Sequence, residues 1–99
     1  MKFEEYIGVV ARTHGLDGTM LLDDTVGIPR PLTPGVSVGI GFSREFVRPY
    51  TVDVFEQSPT RTTLRLREIT TPEQAEALRD HAVYAGADAV GLSEADRFR

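Results

Sequence analysis

The sequence predicts one small, mainly β domain, a six-stranded antiparallel β-barrel with one short α-helix. Three observations lead to this prediction. Apolar and polar residues alternate with a period of two in several short segments, as in strands that bury one face. Turn-forming residues separate these segments at regular intervals, which is typical of small barrels. The pattern changes to a helical one only once, near residues 70–80.

The first two strands flank a turn that contains two glycines. Residues 6–12 (YIGVVAR) are β-rich and nearly all apolar, and residues 19–22 (TMLL) form the second predicted strand. Residues 25–35 contain three prolines and two glycines. Because proline has no backbone N–H to donate to a sheet, this segment is predicted to be a loop.

Alternation predicts four more strands, at residues 36–42, 50–55, 62–68 and 82–85. The glycines of the first of these permit the strong bending that a small barrel requires. A charged connection is expected at 43–49 and a turn at 57–61. In the strand at 50–55, Val52 and Val54 share one face and Phe55 lies on the other.

One helix is predicted from TTPEQAEALRD, residues 70–80. Thr71 is a favourable N-cap, Pro72 suits the first helical position, and Gln74 completes a capping box with Thr71. A helix of about ten residues is not stable alone, so it is expected to pack on the strands.

Composition excludes several classes of protein. The chain has 99 residues and no cysteine, which removes disulfides, thiolate nucleophiles and cysteine-based zinc sites. Its net charge is −4, whereas a freestanding nucleic-acid binder is usually basic, so the charge favours a protein partner, in particular a basic one. No apolar run approaches the roughly 18 residues that span a bilayer. The N-terminus lacks the basic start of a signal peptide, so we expect a cytoplasmic protein with no membrane contact.

The stretch ARTHGLDGTMLLDD, residues 11–24, contains the first candidate site. Gly15 and Gly18 permit positive φ, so the chain can reverse tightly between two strands. Leu16 is expected to tuck its side chain under the turn, which gives these three residues a structural role.

Two sets of charged or polar residues are candidates for binding a partner. The tip of the turn would present Arg12, His14 and Asp17, and neither Arg12 nor His14 is needed for the reversal. The alternative is a barrel connection in which His14 hydrogen-bonds locally. Alternation places Arg65 and Arg67 on one outer face, where they could meet a phosphate backbone. A solvated sheet face explains the same arginines, and the modest local charge favours that interpretation.

No metal site, cofactor or active site is expected. Asp23 and Asp24 point to opposite sides of an extended chain, so they do not form a ligand set with His14. The chain has only two histidines, His14 and His81, and no hydrolase, nucleotide-binding or dinucleotide motif is present. The enzyme-class alternative is a flavin-binding barrel of a reductase, to whose strand motif residues 48–50 (RPY) are a poor match.

Two segments resemble the bacterial ribosome maturation factor RimM family. IGVVARTHGLDGTMLL resembles its opening strand, H-G-L-x-G turn and second strand. Residues 64–85 (LRLREITTPEQAEALRDHAVYA) resemble its strand, helix and closing strand, with AEAL at 75–78 carrying the match. The sequence departs from the family at Glu68 and Asp80, where glycine is common, and in LLDDTVG, where the family often has a threonine–aspartate pair.

The resemblance implies a six-stranded barrel like those of translation factors and a non-enzymatic, monomeric role in assembling the head of the small ribosomal subunit. The implied partners are ribosomal protein S-nineteen and small-subunit rRNA, with promotion of 16S rRNA processing. The family also has a C-terminal barrel of the PRC type. Residues 1–86 are therefore expected to be the N-terminal domain, and residues 87–99 a linker or tail toward that absent barrel.

Overall fold

The computed structural model of the protein describes residues 3–28, 30–87 and 89. The elements, in chain order, are strands β1 (Glu5–Thr13), β2 (Met20–Asp23), β3 (Ser37–Gly41), β4 (Val47–Gln57) and β5 (Thr62–Leu66), helix α1 (Pro72–Glu76) and strand β6 (Ala82–Ala85). The prediction of a mainly β domain with six antiparallel strands and one short helix is confirmed. Most of the predicted tail, residues 90–99, lies outside the described residues, so the division at residue 86 stays a prediction.

The strand pairing closes into a ring. The neighbours run in the order β1, β2, β5, β4, β3, β6, and β6 pairs with β1 again. Two long strands are each shared between two neighbours. In β4, Val47–Thr51 pairs with β3, whereas Val52–Gln57 pairs with β5. β1 is divided in the same way between β6 and β2.

β4 differs from the predicted strand in where it begins and in which of its side chains face the core. It begins at Val47, inside the segment predicted to be a connection, and it includes Pro49. Because β5 does not extend along this half of β4, the missing N–H of Pro49 costs no ladder hydrogen bond. Further along, the register shifts between Val52 and Val54. This β-bulge adds one residue, so Phe55 is buried and Val54 only half-buried, and the predicted facing is wrong from Val54 onward.

The core fills the interior of the ring. Its largest fully buried side chains come from all six strands: Ile7, Val10, Met20, Val38, Val52, Leu64, Leu66 and Val83. Leu32 from the proline-containing loop and Leu78 from the segment after α1 are also buried. In the described part of the chain, no helix is both long and apolar enough to cross a membrane.

The helix begins as predicted and ends early. Thr71 is the N-cap, and the capping box with Gln74 is present. The helix spans five residues, however, and the prediction of about ten is wrong. Asp80 adopts a left-handed conformation (φ 69°) and donates its N–H to the Val10 carbonyl at 2.7 Å, which draws the chain back onto β1.

Candidate functional site

The candidate site is the loop between β1 and β2, which we call the tip loop (residues 14–19), together with the groove beside it. The His14 N–H donates to the Thr19 carbonyl at 2.8 Å and closes the loop. Gly15 and Gly18 have φ values of 84° and 86°. A Cβ on Gly18 would lie 2.5 Å from the Ile69 carbonyl oxygen. Glycine at this position therefore lets the tip loop lie directly against the segment that precedes α1.

Leu16 points into solvent. Its side chain is 87% exposed, so the prediction that it tucks under the turn is wrong. The space under the turn is taken by the backbone of Gly18 against Ile69 and Thr70. Leu16 is left at the outer end of a loop whose base is fixed.

Asp17 fixes the tip loop from the side. Its carboxylate accepts hydrogen bonds from the Thr19 hydroxyl at 2.6 Å, the Thr19 N–H at 3.1 Å and the Arg65 guanidinium at 2.9 Å. The Thr19 hydroxyl and N–H, and then Arg65, lower the pKa of Asp17 to about 2. The carboxylate is therefore ionised throughout the physiological pH range.

Arg65 links the tip loop to the bulge of β4. Its Nε donates to Asp53 at 2.8 Å while its Nη1 donates to Asp17, so the guanidinium bridges two carboxylates. The hydrogen bonds that Arg65 donates to Asp17 and then to Asp53 raise the pKa of Arg65. Val54 is the residue that pairs with Arg65, and Asp53 is the extra residue of the bulge beside this pair, so the contact depends on the irregularity in the strand.

Removing the Thr19 hydroxyl is expected to weaken this network in a measurable way. Thr19→Val should raise the pKa of Asp17 from about 2 toward its ordinary 3.8, because it removes the hydrogen bond from the Thr19 hydroxyl, which lowers that pKa the most. Since the folded pKa is the lower one, ionised Asp17 stabilises the fold above about pH 4, and that contribution disappears as the pH falls toward about 2. A carboxyl carbon NMR titration measures the shift. Thr25→Val, at an exposed site remote from Asp17, is the control, and an unchanged Asp17 pKa in Thr19→Val would contradict the assignment.

A groove of about 460 Å³ runs between the tip loop and the β4–β5 hairpin. His14, Asp17 and Arg65 line it, together with Arg61 from the hairpin turn. The Ser58 hydroxyl holds that turn by donating to the Arg61 carbonyl at 2.8 Å. The structure thus brings three of the five predicted binding residues to one groove.

The other two predicted residues lie elsewhere. Arg12 is on the outer face of β1, in a second groove of about 460 Å³ that also contains Arg61. Arg67 follows the end of β5, and its Nη2 lies 3.8 Å from the point where a Cβ on Gly35 would be. Arg65 therefore lines the first groove, and Arg67 is not among the residues that line it.

Sequence reasoning missed Thr19 and Asp53. An aspartate two residues before a threonine is a known turn pattern, in which the carboxylate accepts the later N–H, so Asp17 and Thr19 carried a readable signal. Asp53 carried none, because its place beside Arg65 follows from the bulge.

The arrangement is suited to surface recognition. Within residues 3–28, 30–87 and 89, no group of three or more His, Asp or Glu residues is placed to hold a metal ion. Asp17 is held by Thr19 and Arg65, and His14 and Leu16 are exposed beside it. The tip loop is therefore held at its backbone and at Asp17, and it leaves the side chains of His14 and Leu16 exposed.

Comparison with known protein families gives a match. The family model of the RimM N-terminal domain matches residues 6–90, which include both grooves and all of the strand residues except Glu5, the first residue of β1. Comparisons with curated proteins and with solved structures gave no match.

Proposed function

The chain belongs to the family of RimM N-terminal domains, and from this premise we propose that it assists maturation of the head of the small ribosomal subunit. The family acts in ribosome maturation and 16S rRNA processing. The proposed mode of action is binding to ribosomal protein S-nineteen and to pre-rRNA in the cytoplasm, as a monomer. No bond is made or broken, because the domain holds one arrangement of the assembling head until the next component arrives.

The observation that carries the proposal is the exposed Leu16 on a fixed loop. Two glycines, the Asp17 network and the His14–Thr19 hydrogen bond hold the backbone, so little conformational entropy is lost when a partner binds. Burying a leucine side chain contributes about 1.5–3 kcal/mol. The tip loop is therefore suited to insert one apolar anchor into a protein partner.

The charge of the chain supports a basic partner. The net charge is −4, and S-nineteen as a ribosomal protein partner is expected to be basic. Asp17 and Arg65 are paired with each other in the structure, so we assign them the role of holding the tip loop. Contact of Arg12, His14 and Arg67 with a partner stays a prediction. The flavin-binding alternative receives no support from the family match.

The test is a titration of the isotope-labelled chain with S-nineteen, followed by backbone NMR shifts. We expect shifts centred on residues 14–18 and weakening of binding by at least about tenfold in Leu16→Ser. Val26→Ser, at another exposed apolar residue in the loop after β2, is the matched control and should bind as the wild type. Equal binding by both variants, or shifts confined to other residues, would overturn the assignment to the tip loop.

A further inference from the structure

A second exposed surface lies at the β3–β4 loop, and it shares no lining residue with the tip loop's groove. Phe42 and Phe46 begin and end this loop and are 77% and 78% exposed. The His81 ring lies over Phe42, with centroids 4.2 Å apart and ring planes tilted by 32°. We call these three rings the aromatic platform.

The aromatic platform is fixed in place by its backbone. A Cβ on Gly41 would overlap the Phe46 carbonyl, so the two ends of the loop lie directly against each other. The Phe46 N–H donates to the Ser43 carbonyl at 3.1 Å. The three rings line an open cavity of about 400 Å³, and Arg48 and Tyr50 line the same cavity.

An arginine-lined groove adjoins the aromatic platform. Arg12, Arg61 and Arg79 line it, and Asp23 is the one acidic residue in its lining. Arg79 forms an ion pair with Glu76 at 3.1 Å, whereas no ion pair of the described residues involves Arg12 or Arg61. We call the groove lined by Arg12, Arg61 and Arg79 the arginine groove.

One short segment connects the two surfaces. Arg79 lines the arginine groove and His81 belongs to the aromatic platform, and the His81 Nδ1 lies 3.1 Å from the Arg79 carbonyl oxygen. The strip therefore offers cations at one end and open aromatic rings at the other, within a chain whose net charge is −4.

This combination fits one chemistry better than others. Single-stranded nucleic acid is bound by cations that follow its phosphates and by aromatic rings on which unpaired bases stack. A protein helix needs an aliphatic groove, but the aliphatic Ile40 and Leu78 are buried beneath the rings here. Arg48 lies beside the rings and supplies a further cation within reach of the same nucleic-acid strand.

We propose that the strip formed by the aromatic platform and the arginine groove binds unpaired, single-stranded RNA, with a base stacked on Phe42 and Phe46 and phosphates along Arg12 and Arg61. This inference rests on the proposed function in one respect: a role in ribosome assembly makes RNA the nucleic acid that this surface would meet. It concerns a surface other than the tip loop, so each assignment is tested separately.

The experiment is a fluorescence anisotropy titration of the whole chain with a labelled single-stranded uridine RNA of about eight nucleotides. Phe42→Ala and Phe46→Ala should each weaken binding by about tenfold, because base–aromatic stacking is lost. Arg61→Gln should make the negative slope of log affinity against log salt concentration shallower by about one. Both phenylalanines are exposed, so the variants are expected to keep the fold, which far-UV circular dichroism checks.

Two controls separate this proposal from general attraction and from the tip loop. Leu16→Ala, equally apolar and exposed but on the tip loop, should bind RNA as the wild type, and an RNA duplex of the same length should bind much more weakly. No binding of the single strand at high concentration, or unchanged binding by both phenylalanine variants, would overturn the proposal. Either result would leave S-nineteen binding at residues 14–18 untouched, so the two assignments fail independently.

Discussion

Replacing Gly18 with alanine is expected to lower the free energy of unfolding by about 2–5 kcal/mol. Two costs add at this position. A left-handed conformation costs an L-residue about 1–2 kcal/mol, and Gly18 has a φ of 86°. The new methyl group would also lie 2.5 Å from the Ile69 carbonyl oxygen, and forced overpacking typically costs about 1–3 kcal/mol. Urea denaturation of the wild type and the variant measures the difference.

Gly15 is the matched control for this change. Its φ of 84° is nearly the same, but the nearest atom to a Cβ there is a side-chain oxygen of Asp17 at 3.9 Å. Gly15→Ala should therefore show the conformational cost alone, about 1–2 kcal/mol. Equal losses in the two variants would mean that the packing of the tip loop against Ile69 contributes nothing.

Truncating Leu64 is the second change with a large expected effect. Its side chain is 0% exposed at the centre of β5, where it pairs with both Met20 and Phe55. Leu64→Ala should lower the free energy of unfolding by about 2–5 kcal/mol through lost burial and the cavity that remains. A domain of this size has a total stability of about 5–15 kcal/mol, so the variant is expected to be largely folded but close to its limit. Thermal and urea unfolding measure the loss.

The same substitution at Leu16 should behave in the opposite way. Leu16 is 87% exposed, so Leu16→Ala should leave stability within about 0.5 kcal/mol of the wild type. If Leu16 is the anchor for a protein partner, the variant should lose affinity for S-nineteen instead. A large loss of stability in Leu16→Ala would show that its side chain is packed in solution, and it would remove the basis for the proposed anchor.

Local sequence signals predicted most of the fold. The capping box at Thr71 and Gln74 and the alternation around Leu64 each depend on neighbours in the sequence, and both are found. The start of β4 and the facing of Phe55 were wrong because they depend on which strand lies alongside and on where a bulge falls. The length of α1 was wrong because tertiary contact at Asp80 ends it, against a pattern that would continue it.

The candidate site was predictable in part. The turn chemistry of the glycines indicated a tight loop, but the direction of Leu16 depends on what fills the space beneath, namely Gly18 against Ile69. The pairing of Arg65 with Asp17 joins residues 48 positions apart, so no local pattern carries it. Arg67 lies beyond the end of β5 at Leu66, and the expectation that Arg65 and Arg67 share one outer face stays a prediction.

The two departures from the family's glycines have physical counterparts in the structure. Asp80 adopts the left-handed conformation that glycine takes most readily, and aspartate tolerates it better than most residues. The Glu68 carboxylate accepts hydrogen bonds from the N–H of Thr51 at 2.8 Å and from its hydroxyl at 2.9 Å. Burial would raise the pKa of Glu68, but these hydrogen bonds outweigh it and lower the pKa. Glu68 therefore adds a link between β4 and the end of β5.

The closure of the ring through β1 and β6 has a consequence for how the domain is made. β1 begins at Glu5 and β6 ends at Ala85, so the first and last strands must find each other across nearly the whole described chain. Contacts between such distant residues are formed late and slow the search for the native state. During synthesis, β1 has no β6 to pair with until almost all of the domain has left the translating ribosome. A domain whose family serves ribosome assembly thus closes its own ring only after β6 has been translated.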